Sequence, residues 1–169
     1  MKGDFPKLDV LINNAGVFDF RNLTVESDDL AGLTRELDIN VAGPIRTTAA
    51  LIGLLTANKG TLINVSSGLA FVPIQAAPIY CATKAALHSY TTTIRQQLKD
   101  QVEVIELMPP ATKTPMTSEL PEGGAFVVMP LEDMLDVTMA GLKAGHSEIR
   151  PGQANQLYWM ARVAPGFIQ

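Results

Sequence analysis

Short apolar runs alternate along this chain with longer stretches whose apolar residues recur every three to four positions. LDVLIN (8–13), GTLINVSS (60–67), VEVIELM (102–108) and the brief SEIRPG (147–152) read as strands. Residues 24–58, 79–99 and 131–145, and the stretch NQLYWMARVA near the end, read as helices. Thr24 and Ser27 are candidate N-caps of the first helix, and Glu26, Asp28 and Asp29 suit its positive end. Gly43-Pro44 marks a bend or break within it. Pro78 sits at the first turn of the next helix, and Gly145 ends the one after. Strand and helix alternate, so the order predicts an α/β fold: a doubly wound parallel sheet with helices on both faces and right-handed crossovers.

Composition narrows the partners. The chain has 169 residues, the size of one domain, and is 47% hydrophobic and 18% charged, which suits a packed core. Its net charge is −4 with no basic run, which argues against nucleic acid or an anionic membrane surface. Cys81 is the one cysteine, and His88 and His146 lie far apart, so no metal site is expected. The opening MKGDFPKLDV lacks the order of a signal peptide, and AALIGLLTA is too short to cross a bilayer. A cytoplasmic location is the expectation.

The candidate chemistry centres on PIYCATKAAL (78–87). Tyr80 and Lys84 stand four residues apart on one helix face and can reach one site. A free tyrosine has a pKa near ~10; a neighbouring ammonium favours the phenolate and would bring it into a useful range. Alone the pair is weak evidence, since most such spacings join a core tyrosine to a solvated lysine. Ser66 and Ser67 end a predicted strand at the edge where open α/β sheets place ligands, or simply open a turn. Asn40, within a helical pattern, would kink the helix and hold a water, or cap locally before Gly43-Pro44. NNAG (13–16) suits a tight turn, with or without a ligand against it.

Taken in order, Asn13-Asn14-Ala15-Gly16, Asn40, Ser67, Tyr80-Cys81-Ala82-Thr83-Lys84 and the stretch from Pro109 to Thr114 resemble the short-chain dehydrogenase/reductase family. The resemblance runs from about Leu8 to Met116 and implies a Rossmann-type domain using NAD or NADP. It implies a catalytic tetrad. Tyr80 would be the general acid/base and Ser67 would orient the substrate oxygen. Lys84 would lower the tyrosine's pKa and bind the nicotinamide ribose, and Asn40 would hold a relay water. Asn13, Ala15 and Gly16 would lie along the adenosine side of the cofactor, and Pro109, Thr112 and Thr114 would meet the carboxamide. The implied substrate is a small carbonyl or alcohol. The helices of Asn40 and Tyr80 would pair two copies, with His88 an interface or surface residue.

Departures from the family are local and large. Pro110 stands where the family has glycine and Thr112 where it has a branched aliphatic, so the loop's path is open. The segment 116–130 is the expected substrate lid, with Gly123-Gly124 as a hinge and an apolar substrate suggested by its Met and Phe. No G-x-G occurs among the 169 residues, so the phosphate-cradling turn is missing, with on the order of 60–90 residues of βαβ structure. The expectation is a partial domain, its first strands missing and LDVLIN left as a sheet edge. It is either the catalytic half of an oxidoreductase or a truncated chain that binds no cofactor and persists by pairing with another chain.

Overall fold

The computed structural model describes residues 5–26, 28–118, 127–164 and 166. Four strands, β1 (Val10–Asn13), β2 (Thr61–Val65), β3 (Glu103–Leu107) and β4 (Glu148–Ile149), form one parallel sheet in the order β1-β2-β3-β4. The helices are α1 (Leu30–Leu37), α2 (Gly43–Ala57), α3 (Pro78–Gln97), α4 (Leu131–Lys143) and α5 (Gln153–Val163). Gly145, at φ +71°, closes α4 as the sequence predicts.

Helices cover both faces, as expected. On one face Leu62 and Val104 pack with Leu55 of α2 and Ile94 of α3. On the other, Ile63, Ile105 and Ile149 pack with Leu142 of α4. The second face empties toward β1. Ile12, Ile63 and Ile105 are in register across three strands, with exposures of 56%, 9% and 3%. Among the described residues β1 is the outer strand, and Val10 is exposed beside Ile12.

The α2 and α3 face also carries a row of polar side chains. Asn13, Asn64, Glu106 and Glu148 are register partners across all four strands. Asn13 donates to Asn64 at 2.8 Å and Asn64 to Thr91 of α3 at 2.9 Å. Arg95 of α3 reaches Glu148 at 3.2 Å. The helix is therefore keyed to the sheet by hydrogen bonds as well as by apolar contact, which fixes the face it turns to the site.

The first helical stretch differs from expectation. It begins at Leu30, capped by Asp29, whose carboxylate accepts from Gly32 N at 2.8 Å. Thr24 instead folds onto Asn22, and Ser27 lies outside the described residues. Gly43-Pro44 does not break the helix, because a proline in the first turn of α2 needs no N–H partner within that helix. The irregularity sits just before it, as a π-helical turn over Asp38–Ala42. The continuous run Leu30–Ala57 spans 28 residues, and by length and composition it is long and apolar enough to cross a membrane, unlike the short AALIGLLTA within it. Here it carries Glu36, Asn40 and Thr48 into the interior.

Candidate active site

The π turn aims Asn40 inward. Its side chain is 1% exposed and makes three hydrogen bonds: Oδ1 accepts from Val17 N at 2.9 Å, and Nδ2 donates to Val17 O at 2.9 Å and to Thr83 Oγ1 at 3.1 Å. Asn40 thus clips the loop after β1 to α3. Its carbonyl gets no ordinary helical partner four residues on, because Pro44 has no N–H.

Tyr80 and Lys84, on successive turns of α3, are both buried. Lys84 Nζ donates to Val65 O at 2.9 Å and lies 5.5 Å from the centre of the Tyr80 ring. Ser67, just past β2, caps a 3-10 turn over Gly68–Ala70 by accepting from Leu69 N at 3.1 Å. Its hydroxyl also acts on the Tyr80 phenol, in the direction that favours ionisation. Phe18, on the loop clipped by Asn40, meets the tyrosine ring edge-on at 4.8 Å.

The electrostatics run against the expected depression of the tyrosine. Burial pushes the Tyr80 phenol up to about 12, outweighing the lowering effect of Ser67, and Cys81 and Glu36 add to the rise. Lys84 is itself drawn down to about 8 by burial, against the pull of Glu106. Two buried groups that each resist charge leave a neutral phenol beside a weakened ammonium. Glu36, held by Asp19 N at 3.2 Å, is also pushed up, mainly by burial.

Tyr80, Lys84 and Ser67 line one cavity of about 620 Å³, together with Asn14, Ala15 and Gly16 after β1 and Pro109 to Thr112 and Thr114 after β3. This is the C-terminal edge of the sheet, where open α/β folds bind ligands. The rest of the wall is mainly apolar, with Phe18 and Leu69, Met134 and Leu135 of α4, and Leu157 of α5. Asn13, expected beside the cofactor, does not line the cavity. Its amide is spent on Asn64, Thr48 and Thr47, and Asn14 faces the space instead.

The loop after β3 has a defined path despite its two prolines. Pro109 O accepts from Gly68 N, Thr112 Oγ1 donates to Pro110 O, and residues 111–113 pair with Met129. Thr112 is buried and its hydroxyl holds the loop, while Thr114 N donates to the Thr117 hydroxyl at 3.1 Å. Of the expected lid, residues 119–126, including Gly123-Gly124, lie outside the described residues. His88, expected at an interface or surface, is partly buried against Phe71 and Glu106.

Comparison with known proteins agrees with this arrangement. Residues 1–124 match the family model for short chain dehydrogenases. This chain belongs to the short-chain dehydrogenase family. An uncharacterized oxidoreductase of Bacillus subtilis, DltE, is 37% identical over 153 residues, covering 86% of this chain and 60% of its own. A short-chain dehydrogenase from Burkholderia cenocepacia, solved with NADP, superposes with a TM-score of 0.86 at 25% identity, covering 98% of this chain and 70% of its own. One from Sphingobium yanoikuyae, solved with NADPH, shares the fold at a TM-score of 0.76 and 23% identity, covering 94% and 63%. The chain therefore spans about 60% of the DltE relative's length.

Proposed function

We propose that this chain carries the proton-transfer half of an oxidoreductase that interconverts a carbonyl and an alcohol with NAD or NADP. The observation behind the reading is the convergence of Tyr80, Ser67 and Lys84 on a single cavity with a largely apolar wall. That wall favours a carbonyl or alcohol on an apolar skeleton.

The residues present fit the nicotinamide end of such a cofactor. A methyl group placed on Gly16 would lie 3.3 Å from Asn40 Oδ1 and 3.7 Å from Lys84 Nζ, so a larger residue there would crowd both side chains. Lys84 and Asn14 would hold the ribose side, and the loop from Pro109 to Thr114 the carboxamide side. No glycine-rich turn in the sequence would hold the pyrophosphate. The bound cofactor would supply the hydride.

The protein's own groups handle the proton. Tyr80 is protonated at neutral pH and, in carbonyl reduction, donates to the carbonyl oxygen as negative charge develops there. Ser67, which lines the cavity with Tyr80, orients that oxygen. The Lys84 ammonium stabilises the phenolate left behind and, with a water at the Asn40 carbonyl, returns the proton.

A second reading rests on the exposed apolar edge at Val10 and Ile12. In it the chain binds no cofactor alone and is sustained by pairing with another chain along β1. A pair of copies through the helices of Asn40 and Tyr80 is compatible with either reading. Titration with NADH and NADPH, followed by cofactor fluorescence, separates them. Saturable binding supports the oxidoreductase; no binding at millimolar cofactor contradicts it and favours the second reading.

A further inference from the structure

The redox reading leaves the buried carboxylate of Glu106 unused. Glu106, on β3 in the polar row, has no exposure. Both oxygens are engaged: the Ser66 hydroxyl donates to Oε1 at 2.5 Å, and His88 Nδ1 lies 2.9 Å from Oε2. A carboxylate in this setting is costly unless its charge is answered. A strand meant only to fill a core would carry an aliphatic residue there, as Ile105 does one position earlier.

The answer comes from α3. Tyr80, Lys84 and His88 follow one another at four-residue intervals, so they share one helix face. His88 meets the carboxylate from the more open side, steadied by the edge of Phe71 at 4.9 Å. Lys84 lies one turn nearer the cavity, and the charge of Glu106 supports its ammonium against the larger effect of burial.

The other charged groups nearby have separate roles. Glu148, the register partner of Glu106 on β4, is matched by Arg95 and Arg150. Glu36 and Cys81 act on Tyr80. Among the described groups, Glu106 is the anion that acts on Lys84.

We propose that Glu106 is a positioning residue for the lysine of the redox site: a buried anion, clamped by His88 and by Ser66, the neighbour of the Val65 whose carbonyl holds Lys84 Nζ at 2.9 Å, that supports the charge of the Lys84 side chain. Its relevance to catalysis rests on the reading of Lys84 given above. Ser66 thereby gains a role distinct from that of Ser67, and His88 becomes the outer tether of the anion.

The test reads Lys84 directly. The full chain is labelled with 13C-lysine, the Lys84 signal is assigned by its loss in Lys84→Met, and its protonation is followed by NMR. The wild type is expected to titrate near pH 8. Glu106→Gln, with its fold checked by circular dichroism, should lower that midpoint by about one unit or more. Glu106→Asp keeps the charge and should restore most of the shift, which a purely structural role would not do. An unchanged Lys84 midpoint in a folded Glu106→Gln overturns the proposal.

Should Glu106→Gln not fold, the wild type decides. The Glu106 Cδ signal must move as Lys84 loses its proton, and a signal flat through that step overturns the proposal. Neither measurement involves cofactor or substrate, so loss of the redox reading and loss of this one appear in different experiments.

Discussion

Asn40 and Val17 exchange two hydrogen bonds, amide oxygen to backbone N–H and amide nitrogen to backbone carbonyl, each 2.9 Å. The pair fastens the loop carrying Asn14 to Phe18 onto the helical layer that carries Tyr80. Replacing Asn40 with alanine removes both bonds and the one to Thr83, and leaves the part-buried N–H and C=O of Val17 without these partners. Asn40→Ala should cost about 2–3 kcal/mol in a denaturant melt, with the largest amide shift changes from residue 14 to residue 18. A melt within a few tenths of the wild type would contradict the clip.

Asn13 has a structural part. Its side chain bonds to Asn64, Thr48 and Thr47, away from the cavity. Asn13→Ala should lower stability by about 2 kcal/mol while leaving cofactor affinity in the folded fraction within about twofold. A large loss of affinity without loss of stability would show that Asn13 touches the cofactor.

Lys84 makes stability depend on pH. Its folded-state pKa of about 8 lies below the ordinary 10.5, so the charged form is penalised on folding. The penalty is complete below about pH 8 and disappears as pH rises toward 10.5. Lys84→Met should therefore stabilise the fold at pH 7. The gain is on the order of 3 kcal/mol at most, less the lost bond to Val65, and should shrink by pH 10. Denaturant melts of both proteins at the two pH values check the sign; a gain that grows with pH would refute it.

Tyr80 works in the opposite window. Its pKa is raised to about 12 from 10.0, so its contribution to stability is complete below pH 10 and is lost as pH rises through about 12. Phenolate absorbance, taken as the difference between wild type and Tyr80→Phe, should show Tyr80 still protonated at about pH 10.5. Ionisation near neutral pH would mean that Lys84 already activates the tyrosine in the absence of cofactor.

The sheet and the cluster of Ser67, Tyr80 and Lys84 were legible because local pattern carries them. Apolar runs mark the strands, Pro78 marks the start of α3, and four-residue spacing sets Tyr80 over Lys84. The polar row was not legible. Asn64 and Glu106 sit inside apolar runs, and their partners Thr91, Ser66 and His88 are 27, 40 and 18 residues away in the chain. The one hint was that LIN occurs twice and VIE once at the same strand position, placing a polar residue at one level of three strands. The fate of Gly43-Pro44 also depended on tertiary context, since a proline one turn into a helix reads the same as a proline that ends one. Tyr80's raised pKa could not be read from spacing at all, because burial set it rather than the neighbour at i+4.

The central claim is that Tyr80 supplies the proton for carbonyl reduction in this cavity. Its most direct test follows NADPH oxidation by the wild-type chain with ketones of increasing apolar size, beside Tyr80→Phe. Removing the phenolic oxygen leaves the ring and its contact with Phe18, so the variant should fold and bind cofactor as the wild type does. The prediction is turnover by the wild type and a fall of about 10² or more in Tyr80→Phe at unchanged cofactor affinity. Turnover that survives in Tyr80→Phe would contradict the account.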